Sequence, residues 1–114
     1  MNNENISVKE DVEEFFKSGA AKLDAKLYEE SITDFLKALS INPDHIAANF
    51  QICYSLCSLK RYRKALAYAD KLIEICPDWD TYEHRAAIKK SLGDWYGAEE
   101  DYEIARGIPK DGCM

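Results

Sequence analysis

The sequence predicts an all-α protein of six helices arranged as three antiparallel pairs. Three observations carry that expectation. A proline-centred motif recurs as INPD at 41–44, ICPD at 75–78 and IPKD at 108–111, with the prolines 34 and 32 residues apart. Between the prolines, residue types return in register: Tyr28, Tyr62 and Trp95; Ser31, Ala65 and Ala98; Phe35, Ala69 and Tyr102; Ala38, Leu72 and Ala105; Gly19, Cys53 and Ala86. The intervening apolar residues keep helical spacing, and no useful stretch alternates apolar with polar. A repeat of this length is one supersecondary unit that buries its apolar face by stacking on the next.

The elements follow in order. The first helix, about 8–25, carries Val12, Phe15, Phe16, Gly19, Ala20 and Leu23 on one face, and Ser7 with Glu10 suggests a capping box at its start. The second, about 28–41, carries Ile32, Phe35, Leu36 and Leu39 and stops at Asn42-Pro43, because proline lacks the amide donor a helix needs. Asp44 and Asp78, each following a proline, are the expected N-caps of the third and fifth helices. Gly93 is expected to end the fifth helix in a left-handed conformation, and Gly107 ends the sixth, about 95–106. Where paired helices cross closely a small residue is needed, which Gly19, Cys53 and Ala86 supply on the first helix of each pair. Ser31, Ala65 and Ala98 supply it on the second. The aromatic at Tyr28, Tyr62 or Trp95 starts each second helix beside the turn.

Composition excludes several classes. A chain of 114 residues is too short for a two-domain enzyme with an interdomain cleft, and 46% hydrophobic residues are enough for a core. Apolar runs are too short to cross a membrane, and the polar, acidic N-terminus has no secretory pattern. Net charge is −6, which disfavours a general nucleic-acid binder. The four cysteines, Cys53, Cys57, Cys76 and Cys113, are read as reduced thiols in a cytoplasmic setting, since a secretory context is missing. No phosphate loop, zinc-protease motif or nucleophile elbow occurs, so no catalytic residue, cofactor or metal is expected. Cys53 and Cys57 share one helix without the turn spacing of a zinc site, and paired acids such as Glu29-Glu30 read as solvated faces.

The columns Gly19, Tyr28, Ser31, Phe35, Ala38 and Pro43, then Tyr62, Ala65 and Pro77, then Ala86, Gly93, Trp95, Ala98, Tyr102 and Ala105, resemble the tetratricopeptide repeat family over about residues 12–109. Three departures stand out: Ser18 and Arg85 where the family prefers Leu, and Asn49 where it prefers an aromatic. The junction between the second and third repeats is also one residue short. The resemblance implies a right-handed superhelical α-solenoid, with residues 1–7 as a lead-in, one domain at 8–109 (repeats about 12–45, 46–78 and 79–109) and a tail at 110–114. It implies protein binding in a concave groove lined by the first helix of each pair.

Carried over position by position, the groove residues are Phe16 and Ala20 from the first repeat, Phe50, Gln51 and Tyr54 from the second, and Glu83, His84, Ala87 and Lys90 from the third. Three-repeat co-chaperone domains look similar, but their carboxylate clamp needs converging cations and amides. Here Phe16, Ala20, Gln51, Asp80 and His84 stand at the clamp positions, which disfavours an acidic chaperone tail. The replacement is an apolar strip, with Phe16 and Phe50 expected to face the groove and Leu23 and Cys57 to pack in the core. Such a strip suits a partner's apolar helix face or a peptide with hydrophobic anchors. The alternative is a structural, self-associating domain that pairs through its last helix, although that helix is acidic enough to serve as its own cap. Charge is uneven: residues 51–77 sum to +3, centred on Lys60-Arg61-Tyr62-Arg63-Lys64, between flanks of −5 and −4. With acidic flanks, that cluster reads as a solvated turn or a rim for an acidic partner.

Overall fold

The computed structural model describes residues 4–111, with side chains from 11 onward. Six helices follow one another: α1 (Glu4–Asp24), α2 (Tyr28–Ile41), α3 (Ile46–Ser58), α4 (Tyr62–Ile75), α5 (Trp79–Ser91) and α6 (Trp95–Arg106). Helix α1 packs on α2, α3 on α4 and α5 on α6, while α2 meets α3 and α4 meets α5. The result is an elongated stack of 52 × 29 × 19 Å. Helix α1 also touches α3, which places first helices along one side of the stack. The start of every second helix falls on the aromatic column, at Tyr28, Tyr62 and Trp95.

The small-residue columns are buried at every repeat. At Gly19 a Cβ would sit 2.8 Å from the ring of Phe35, itself fully buried, so only glycine admits that ring. The Cys53 thiol donates to the Ala65 carbonyl at 3.4 Å, and the Ser31 and Ser55 hydroxyls meet at 3.0 Å. Phe35, Ala48, Ile52, Leu56, Ala69, Leu72 and Ile88 form the continuous core around them.

Some termini differ from expectation. Helix α1 already runs through Ser7, so that residue is interior and not an N-cap. The cap of α3 is His45, whose Nδ1 accepts from the Ala48 amide at 3.0 Å; Asp44 is exposed and pairs with Lys71 at 3.4 Å. One residue later than the expected aspartate, the imidazole is the acceptor that reaches the first-turn donor. Asp78 does cap α5, forming a capping box with Thr81. Gly93 has φ +85° as expected, and Lys26 (φ 62°) and Lys60 (φ 60°) take the same conformation in the other two turns. Cys53 and Cys57 are free thiols, but Cys76 is disulfide-bonded, contrary to the expectation of four reduced thiols. Cys113 lies outside the described residues.

The three departures from the repeat pattern have physical partners. Asp34, 5% exposed, accepts from the Ser18 hydroxyl at 2.6 Å and pairs with Lys22 at 2.7 Å. Two repeats later, Asp101, 1% exposed, is held by both Arg85 Nε (2.8 Å) and Nη2 (2.9 Å) and by Lys89 (3.1 Å). Burial pushes both carboxyls up, and the facing donors more than offset it, leaving each below its ordinary 3.8. The middle repeat puts Ile52, Leu56 and Tyr68 at the same three positions. The Asn49 amide donates to the carbonyls of Pro43 (3.1 Å) and His45 (2.9 Å), tying down the loop between repeats.

Candidate functional site

The candidate site is the face shared by α1, α3 and α5. On α1, Phe16 is half-buried, with its ring 5.6 Å from Phe35 and 5.1 Å from His45. Phe50, on α3, is half-buried 5.2 Å from His84 of α5. Both rings pack against the core, as do Ala20, Leu23 and Cys57. Phe16 and Phe50 are thus neither fully buried nor fully exposed. The imidazoles of His45 and His84 lie against them, and an aromatic ring gains more from that contact than from water.

Tyr54 is the aromatic residue that stands clear, at 54% exposure. It borders a cavity of about 340 Å³ lined by Leu23, Asp24, Lys26, Tyr28, Gln51 and Tyr54, which joins the first turn to α3. The lining mixes apolar rings with an amide, a carboxylate and an ammonium. On α5, Glu83, Ala87 and Lys90 are exposed, and Lys90 lies 5.5 Å over the Trp95 ring. His84 Nε2 is buried and has no hydrogen-bond partner among the described residues. Burial pushes this imidazole below its ordinary 6.5, with the Asp80 charge pulling the other way, so it is neutral near pH 7. Gln51 is half-buried and shares the cavity with Tyr54.

Of the expected residues, Gln51 and Tyr54 share a wall of the cavity, and Phe50 and His84 are in contact. Phe16 and Ala20 are half-buried and pack against the core. Leu23 and Asp24 also stand at groove positions of the first repeat, whereas Lys26 and Tyr28 were outside the expected set. The signal for Tyr28 was present in its column, where an aromatic beside the turn must have one open edge. At the clamp positions, Phe16, Ala20, Gln51, Asp80 and His84 bring no lysine or arginine, and the His84 imidazole is uncharged.

A tetratricopeptide repeat family model matches residues 15–45. Heat shock protein STI1 of Saccharomyces cerevisiae is 34% identical over 97 residues, covering 82% of this chain and 16% of that protein. Among solved structures, MamA superposes with a TM-score of 0.80 at 19% identity, over 83% of this chain and 56% of that one. The first repeat domain of Spaghetti (RPAP3), bound to an HSP90 peptide, SRMEEVD, superposes at 0.78 with 18% identity, over 84% and 77%. Their fold is the fold described above. The chain belongs to the tetratricopeptide repeat family, spanning about a sixth of the length of the curated relative it matches. Among the described residues, no helix is long and apolar enough to cross a membrane.

Proposed function

We propose that this chain is a non-enzymatic adaptor module whose concave face holds a peptide or helical segment of a partner protein. The observation that carries the reading is Tyr54, a large amphipathic side chain left exposed beside a cavity of side-chain size. Tyrosine in such a place supplies contact area at low entropic cost and a polar tip for orientation. The family's general role in protein interaction supports the reading, as does the peptide held by the Spaghetti (RPAP3) domain. An acidic tail held by a clamp is not favoured in this groove, since the clamp positions supply no cation.

Phe16 and Phe50 are poor test sites because their rings support the core. Tyr54→Ala is the discriminating variant, with Leu36→Ala as a control on the second helices. Affinity capture with the wild type should retain a partner, and calorimetry on the captured segment should show at least tenfold weaker binding to Tyr54→Ala. Helicity and melting should stay unchanged in that variant, and Leu36→Ala should bind normally. Equal affinity of Tyr54→Ala and wild type would remove the groove from the account.

A further inference from the structure

We propose that the basic turn between α3 and α4 is a second binding site, distinct from the groove, which takes an acidic polypeptide segment bearing one apolar side chain. A cavity of about 310 Å³ opens there, lined by Lys60, Arg61, Tyr62, Arg63, Lys64 and Leu92. Its apolar part is Tyr62 with Leu92 from the neighbouring turn, both packed on the core and so fixed in place. Its rim is four cations within five residues.

The repeats act as internal controls on whether the fold needs those cations. At the positions of Arg63 and Lys64 the first repeat has Glu29 and Glu30, and the third has Tyr96 and Gly97. The same turn is thus built with acidic, basic or uncharged residues. The helix itself disfavours cations here, because the first turn of α4 presents the positive end of the helix dipole. Arg61 is answered, since its two terminal nitrogens fork onto both carboxylate oxygens of Glu29, and that hydrogen bond lowers the Glu29 carboxyl from its ordinary value. Lys60, Arg63 and Lys64 have no ion pair among the described residues, although the Lys64 charge is felt at the Glu29 carboxyl. Three exposed cations that neither turn nor helix requires, gathered around an apolar hollow in a chain of net −6, match carboxylates flanking an apolar residue.

A polypeptide fits better than a nucleic acid. The positive stretch ends within five residues, and the segments on either side are acidic. A polyanion long enough to gain from counterion release would run over those flanks. A short acidic segment would not, and its apolar residue would use the hollow.

The test uses the whole chain and a fluorescent, end-blocked pentapeptide of four glutamates around a central leucine, at about 50 mM salt where screening is weak. The wild type should bind it. Arg63→Ala/Lys64→Ala should weaken binding at least tenfold, and replacing the peptide's leucine by glycine should do the same. Lys26→Gly, which removes a cation from the first turn, and Tyr54→Ala, which alters the groove, should bind as the wild type does. Melting of the double variant should be unchanged or slightly higher, because the helix dipole is relieved. No binding by the wild type, or equal binding by the double variant, overturns the proposal. Tighter binding of a single-stranded oligonucleotide of equal charge also overturns it, in favour of a nucleic-acid site. Loss with Tyr54→Ala would assign the peptide to the groove and overturn the second site.

Discussion

At Lys26 and Lys60 the backbone takes φ of 62° and 60°, a region that costs a side-chain-bearing residue free energy and costs glycine none. The cause lies in the hydrogen bonds that end the helices. Leu27 N donates to Lys22 O at 2.8 Å, Arg61 N to Leu56 O at 2.8 Å and Asp94 N to Lys89 O at 2.9 Å, so all three first helices close in one Schellman-type turn. Gly93 made its turn readable from composition. Lys26 and Lys60 did not, because the backbone bonds impose the conformation whatever the side chain. Lys26→Gly is expected to stabilise the fold by about 0.5–1 kcal/mol, the strain relieved less the chain entropy glycine adds to the unfolded state. Urea unfolding would show it as a raised midpoint at constant slope. A lowered midpoint would mean that the lysine side chain has a compensating role. For Phe16 and Phe50, at this same scale, sequence position indicated a helical face but not the His45 and His84 rings lying against them.

Between paired helices, the lesson concerns residues that depart together. Ser18 and Arg85 look like isolated lapses from an apolar column. They are one end of three-residue units, Ser18–Lys22–Asp34 and Arg85–Lys89–Asp101, built on identical spacings of 4 and 12. The middle repeat fills the same unit with Ile52, Leu56 and Tyr68. The helix pattern was legible because each helix buries a periodic face; the units were not, because their logic spans two helices and only distance reveals it. Asp101→Tyr alone would leave Lys89 unpaired and Arg85 with only Asp70, which accepts from its Nη1 at 3.0 Å, both beside an apolar ring, at a cost of about 3 kcal/mol. The triple replacement Arg85→Ile/Lys89→Leu/Asp101→Tyr rebuilds the middle repeat's version and should recover most of that loss. Denaturation of both variants measures the coupling. Additive losses would show that the three residues do not act as a unit.

For the molecule as a whole, the outward face of α6 decides whether copies stack. Two apolar columns run along the second helices: Ile32 and Leu39 on α2, and Leu66 and Ile73 on α4, of which Ile32, Leu39 and Leu66 pack against the core. On α6 these positions hold Glu99 and Arg106, which pair at 3.3 Å with both side chains 62% exposed. The acidity of the last helix was visible in the sequence, and the structure adds the cross-turn pairing that makes these two positions polar, although Trp95, Tyr96 and Ile104 of the same helix are exposed. The chain is expected to be monomeric at about 100 µM, the range where weak self-association would appear. Glu99→Leu/Arg106→Ile, which restores the apolar columns, is expected to drive self-association. Light scattering distinguishes the two. A wild-type dimer would place the self-associating reading ahead.

The alternation of charged and apolar units along the stack sets how the protein meets acid. Asp34 and Asp101 have folded pKa values below 3.8, so the stability they lend is complete above that value and drains away as pH falls through the folded ones. The middle pair contains neither carboxylate and reaches Asp101 only through Arg85, which also donates to Asp70 of α4. Hydrogen exchange followed as pH is lowered below 3.8 should therefore show protection failing first in α1–α2 and α5–α6 while α3–α4 holds, and uniform loss would count against this. Acidification would then peel the solenoid from both ends toward a surviving central hairpin, leaving the segment that carries Tyr54 and the basic turn as the last part to lose its shape.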